Sequence, residues 1–162
     1  MGVNNKGNFT TEEIIEELKL RGKTSDEISK FLNLNSEEVP ADSKKKKDEN
    51  FIEETVTNIL HEFGIPAHLK GYSYLRVAII LMANDSSYLN AVTKKLYPDI
   101  AKEFDSTPSR VERAMRHAIH HSWKNGEREV FNKHFGRIMN KMPTTSEFIA
   151  TIADEIKLKY IK

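Results

Sequence analysis

The segment STPSRVERAMRHAIHHSWKNG, residues 106–126, brings together Arg110, Glu112, Arg113, Arg116, His117, His120, His121 and the chain's single tryptophan, Trp123. Two chemistries fit these residue types. An arginine presents a planar fork of donors that matches guanine O6 and N7, and a glutamate can accept from cytosine N4. Histidines four residues apart, as His117 and His121 are, can instead share a zinc ion on one helix face. A catalytic zinc helix of that type also needs a glutamate after its first histidine and a third ligand. Here Ala118 follows His117, and His134 is the nearest third candidate. The zinc pattern is thus incomplete, and neither a metal nor another cofactor is expected; surface arginines are common on helices, so their arrangement alone leaves DNA reading open.

Such groups act only if a helix holds them on one side. Thr107 is a natural N-cap and Pro108 suits the first helical position, so a helix is predicted from there to Gly126. Val111, Ala114, Met115, Ala118 and Ser122 recur on one mostly small face, which suits close packing across another helix. Arg110, Arg113, His117 and, slightly rotated, Arg116 project from the other side. The preceding residues 98–104 and the turn DST supply the first helix and the turn of a helix-turn-helix unit. The basic groups lie in the first half of the second helix, the half that enters a major groove. Trp123, past the basic face, is expected to pack inward.

The supporting elements are helical too. FIEETVTNILHEFG aligns Ile52, Val56, Ile59, Leu60 and Phe63 before Gly64 and Pro66 end the pattern. HLKGYSYLRVAIILMAND is more apolar and predicts the central helix. YLNAVTKKLY follows, Pro98 opens a short helix, and Thr144 with Glu147 forms a capping box ahead of the stripe Phe148, Ile149, Ile152 and Ile156. No stretch alternates as a strand would. Near the start, Thr10 and Glu13 cap a helix carrying Ile14, Ile15 and Leu18 and stopped by Gly22. A second helix is expected through Ile28, Phe31 and Leu32, and so small a piece must lean on the main domain, on a partner or on a third turn at SEEV. Between these parts VPADSKKKKDEN reads as a solvated linker, which sets the expected boundary at residues 1–48 and 49–162.

Composition excludes several classes. With 38% hydrophobic and 30% charged residues in 162, the chain suits one globular domain with a small appendage. It has no cysteine, hence no disulfide, thiolate metal site or cysteine nucleophile. That suits a reducing cytoplasm, the expected location, and no apolar run is long enough to predict a membrane span. Residues 1–50 hold 9 Lys/Arg against 11 Asp/Glu, and residues 51–162 hold 16 against 13, so the positive balance belongs to the second part. No Gly-rich phosphate loop, nucleophile elbow or paired-carboxylate site appears, and no enzymatic activity is expected. His61 and His68 flank the GIPA turn as packing and capping residues.

SRVERAMRHAI, FGIPAHLKGYSYLR, AVTKKLYPDIAKEF and PTTSEFIATIADEIKL together resemble the DNA-binding effector domain of the stage-zero sporulation response regulators of Firmicutes. The blocks occur in the family's order from about Glu54 to Lys159. The resemblance implies an all-α, six-helix fold containing a helix-turn-helix, here preceded by a small helical extension. It implies transcription regulation in sporulation or related developmental control. Double-stranded DNA is the implied partner, bound by paired copies, with the RNA polymerase sigma subunit as a further contact. Carried over by position, Arg110, Glu112 and Arg113 contact bases, and Ser109, Arg116 and His117 contact the backbone or the edge of the site.

Three departures stand out. The 50 residues ahead of the domain are fewer than the α/β receiver of about 120 residues that precedes it in the family. His120 and His121 replace an acidic and an apolar residue in the region tied to polymerase contact. FGRIMNKMPTTSEF is shorter and less basic than the family's loop. A module that binds a full-length regulator or another protein, without reading DNA itself, is the alternative function. Retention of the arginines and Glu112 favours DNA.

Overall fold

The computed structural model describes residues 11–22, 24 and 41–161, and all regular structure among them is helical. The chain divides into two compact units, Met1–Lys46 and Lys47–Lys162. In the first, helix α1 (Thr11–Leu20) carries Glu12 and Glu13 in its opening turn, where the helix dipole favours anions. It stops at Gly22, whose φ of 77° is the left-handed geometry glycine adopts without penalty. The expected Thr10 cap and the second helix through Ile28, Phe31 and Leu32 lie outside the described residues.

Helix α2 (Ala41–Glu62) takes in ADSKKKKDEN as its first turns, so the stretch read as a solvated linker is helical. The lysines are solvated as expected, but lysine is a good helix former and has no reason to leave a helix that is nucleated further along. In its second half Ile52, Val56, Ile59 and Leu60 are buried. The helix closes on Gly64, with the Ile65 amide bonded to the Leu60 carbonyl and the Gly64 amide to that of His61. This six-to-one and five-to-two pair satisfies carbonyls that the helix end would otherwise strand, and places Ile65 in the core.

Helix α3 (Lys70–Asn84) is the central element, with Tyr72, Tyr74, Leu75, Ala78, Ile79, Met82 and Ala83 buried. The following segment is helical but not α. Residues Ser86–Asn90 form a 3-10 turn and Val92–Leu96 a wide π turn closed by Leu96 N–H to Ala91 O. Side chains explain the irregularity. Asp85 accepts from the Ser87 amide, the Tyr88 hydroxyl donates to Asp99 at 2.7 Å, and Lys95 lies 4.2 Å above the Tyr88 ring. The Asp99 carboxylate holds the Tyr88 phenol up at about 12.

Helices α4 (Tyr97–Glu103), α5 (Pro108–Asn125), α6 (Arg128–Phe135) and α7 (Thr145–Tyr160) complete the second unit. With α2 and α3 they make the six α-helices expected. The α7 capping box is present in both directions, and its stripe of Phe148, Ile149, Ile152 and Ile156 is buried against the domain. Phe63 anchors the core, with ring centroids 4.8 Å from Phe131, 4.9 Å from Phe148 and 4.9 Å from His134.

Candidate nucleic-acid interface

Helix α4, a tight turn and helix α5 form the helix-turn-helix. The turn is built on Asp105, the only described non-glycine residue with positive φ, at 51°. Ser106 N–H closes back on Ala101 O at 2.8 Å, the six-to-one bond of a helix C-terminus ending in a left-handed residue. A short polar side chain tolerates that conformation better than an apolar one, which explains an aspartate at this point. Two residues later the Thr107 hydroxyl accepts from the Arg110 amide, with Pro108 at the first helical position as predicted.

Close packing fixes the inner face of α5. Val111, Met115, Ala118, Ile119 and Ser122 are buried, and Ala114 is half-buried. A Cβ on Gly71 of α3 would lie 2.1 Å from the Ala114 carbonyl oxygen and 2.8 Å from the Ala118 Cβ. The small residues of α5 therefore meet a glycine of α3 at backbone distance. At the other end the buried Ser122 hydroxyl donates to the Phe63 carbonyl, tying α5 to the end of α2. A Cβ on Gly126 would meet the Ser122 and Phe63 carbonyl oxygens at 2.6 and 2.9 Å. The helix is held against neighbouring backbone at both ends.

The opposite face is open. Ser109, Arg110, Arg113, Arg116 and His117 are exposed, and Glu112 is partly covered. Glu112 and Arg116 form an ion pair at 3.6 Å, one turn apart on the helix surface. Arg110 and Arg113 have no such partner among the described residues and present free guanidinium groups. An open hollow of about 300 Å³ lies between Arg113, Arg116, His117, His120 and Met142. The structure thus gathers the six residues singled out from sequence on one solvent-facing helix that is rigidly seated from behind. The sequence reading missed Met142, which borders this face from the loop before α7. Its signal, an apolar residue in a polar loop, is too common to be decisive.

The histidines separate. His121 lies 3.4 Å from Asn125, whereas the His134 imidazole is buried between two carboxylates, 2.6 Å from Glu155 and 3.2 Å from Glu62. The nearest candidate for a third zinc ligand is thus committed elsewhere. Among the described residues, no group of three or more histidine, aspartate or glutamate side chains could hold a metal ion. Trp123 departs from a simple inward placement. It is half-buried, with its ring edge-on to Phe131 at 5.0 Å and the Arg128 guanidinium stacked over it at 3.4 Å. The indole lies beyond the small-residue stripe, so only part of it reaches the core.

The helix-turn-helix thus carries exposed arginines on one face of α5 and a closely packed inner face. Residues 56–156 match the family described as the C-terminal region of the sporulation initiation factor Spo0A. The chain belongs to this family. Its second unit is thus a sporulation-related, DNA-binding transcription-regulation domain, and the matched span runs from Val56 of α2 to Ile156 of α7. The Spo0A-type domain includes every element that seats α5, along with α5 itself. No helix among the described residues is long and apolar enough to cross a membrane.

Proposed function

We propose that this Spo0A-type domain is a sequence-specific regulator that reads the major groove of double-stranded DNA with α5. The observation that carries the reading is Arg110 and Arg113, without an ion-pair partner among the described residues, on the exposed first half of a helix whose other side is packed at Gly71 and Ser122. In this reading Arg110 and Arg113 contact guanine edges and Glu112 accepts from a cytosine amine. The Glu112–Arg116 pair opens for this, at little cost, since an exposed pair is worth about 0–1 kcal/mol. Ser109, Arg116 and His117 then contact phosphates or the edge of the site. Residues 1–48 lie outside the reading head.

A single helix-turn-helix reads too few base pairs to select a promoter among genomic competitors, so two copies occupy adjacent sites. The chain is a monomer in dilute solution, and a neighbour on the same duplex supplies the effective concentration that dimerisation needs. The polymerase sigma subunit is a further partner, met near His120, His121 and Trp123.

Selection of the purified chain against random duplexes tests the central claim. Arg110→Ala or Arg113→Ala should then cost roughly 1–3 kcal/mol on the selected site and far less on a scrambled one. Equal losses on both would reduce the arginines to phosphate contacts. Cooperative filling is expected on two-site duplexes only, and independent filling would defeat the pairing.

A further inference from the structure

We propose that Lys44–Lys47, at the start of α2, make a sequence-independent contact to the phosphate backbone of duplex DNA. The proposal rests on the DNA-binding reading of the second unit. All four side chains are exposed. Among the described residues none of them makes an ion pair or a side-chain hydrogen bond.

The positive charge of the run is only partly offset where it sits, with Asp42 four residues ahead of Lys46 in the favourable orientation but no ion pair formed among the described residues. Lys44 lies in the opening turn of α2, where the positive end of the helix dipole disfavours cations. Lys44 and Lys47 are like charges three residues apart, neighbours on the helix surface. Asp48 and Glu49 follow Lys44 and Lys45 by four residues, but lysine ahead of the acid is the weaker orientation, and neither pair forms. A polyanion would relieve all three conditions.

Its class follows from what surrounds the lysines. From Ala41 to Asn50 there is no large apolar side chain, so neither a membrane interior nor an apolar protein groove has anything to grip. What remains is charge alone. At a rise of about 1.5 Å per residue, four ammonium groups are spread over about 5 Å of axis, comparable to the spacing of one charge per roughly 1.7 Å along duplex DNA. Because consecutive residues point about 100° apart, two of the four can face one strand while the others stay solvated.

The test compares the whole chain with the variant carrying Lys44→Gln, Lys45→Gln, Lys46→Gln and Lys47→Gln. Glutamine is nearly as good a helix former as lysine, and circular dichroism confirms that helicity is kept. Binding to the selected duplex and to a scrambled duplex, both with long flanks, is measured from 50 to 200 mM NaCl. Loss of two phosphate contacts should lower the slope of log K against log salt by about 1.8. The variant's affinity deficit would then be roughly tenfold larger at 50 mM than at 200 mM on both duplexes, with the selected-to-scrambled ratio unchanged. Parallel salt lines for the two proteins would overturn the proposal, as would a change in that ratio. Parallel lines accompanied by lysine-dependent binding to polyglutamate would assign the run to an acidic protein instead. A wild-type ratio near one would sink the base-reading assignment, while the slope difference would still decide the role of the lysines.

Discussion

Gly71→Ala sets two effects of opposite sign against each other, and the structure says which wins. Gly71 lies in α3, where alanine is favoured over glycine by about 1 kcal/mol, so propensity alone predicts stabilisation. The added methyl would stand 2.1 Å from the Ala114 carbonyl oxygen, roughly an ångström inside any real contact, and 2.8 Å from the Ala118 Cβ. Neither obstacle is the end of a flexible side chain. Relief therefore requires α3 and α5 to move apart across a packed core. Inserting a methylene into such a core costs typically 1–3 kcal/mol, and a backbone obstacle puts this site at or above the upper end. Net destabilisation of about 2 kcal/mol follows, or a fall in melting temperature of about 8 °C for a domain of this size. Thermal unfolding by circular dichroism reads this directly. Because the displaced element is α5, affinity for the selected duplex should fall as well. A variant that melts at or above the wild-type temperature would show that α5 is not seated on Gly71.

Two other expectations follow from the turn and from the buried histidine. Asp105 holds φ at 51°, so Asp105→Val should destabilise by about 1–2 kcal/mol while Asp105→Gly or Asp105→Asn stays close to wild type; equal melts for all three would place the turn elsewhere. The Lys133 hydrogen bond, aided by His134, holds Glu62 below the usual carboxylate range. Burial pushes Glu155 up, but Lys159 and His134 outweigh it and leave that carboxyl lowered too. Groups depressed in the fold contribute stability above their unfolded pKa and lose it as pH falls through the folded value. Melting should therefore drop on acidification below about pH 4.5. Glu62→Gln with Glu155→Gln should flatten that drop, and an unchanged acid profile would dismiss the pair as its source.

The elements were legible in the sequence because their signals are local. Thr107–Pro108, the Thr144–Glu147 box and Gly64 each satisfy or end their own helix, and the apolar stripes follow the helical period without reference to any neighbour. The outward arginines of α5 were readable for the same reason, since a buried stripe on one side leaves its complement exposed. Local signals say less where no apolar period exists. Lys44–Lys47 carry no apolar stripe and read as linker, yet helix α2 continues through them because propensity alone permits it.

Other features depend on chain segments far apart in sequence, and only the tertiary structure decided them. That Gly71 faces Ala114, that Ser122 bonds the Phe63 carbonyl and that His134 sits between Glu62 and Glu155 are long-range pairings. So is the half-burial of Trp123 between Phe131 and Arg128. A helical period fixes which residues share a face, but not which helix that face meets or at what distance. Those are set when the core closes to native density, where one extra methyl or one unpaired hydroxyl decides between neighbouring arrangements. The sequence by itself determined that α5 has a basic side; the fold determined that this side is presented on a helix anchored through its back.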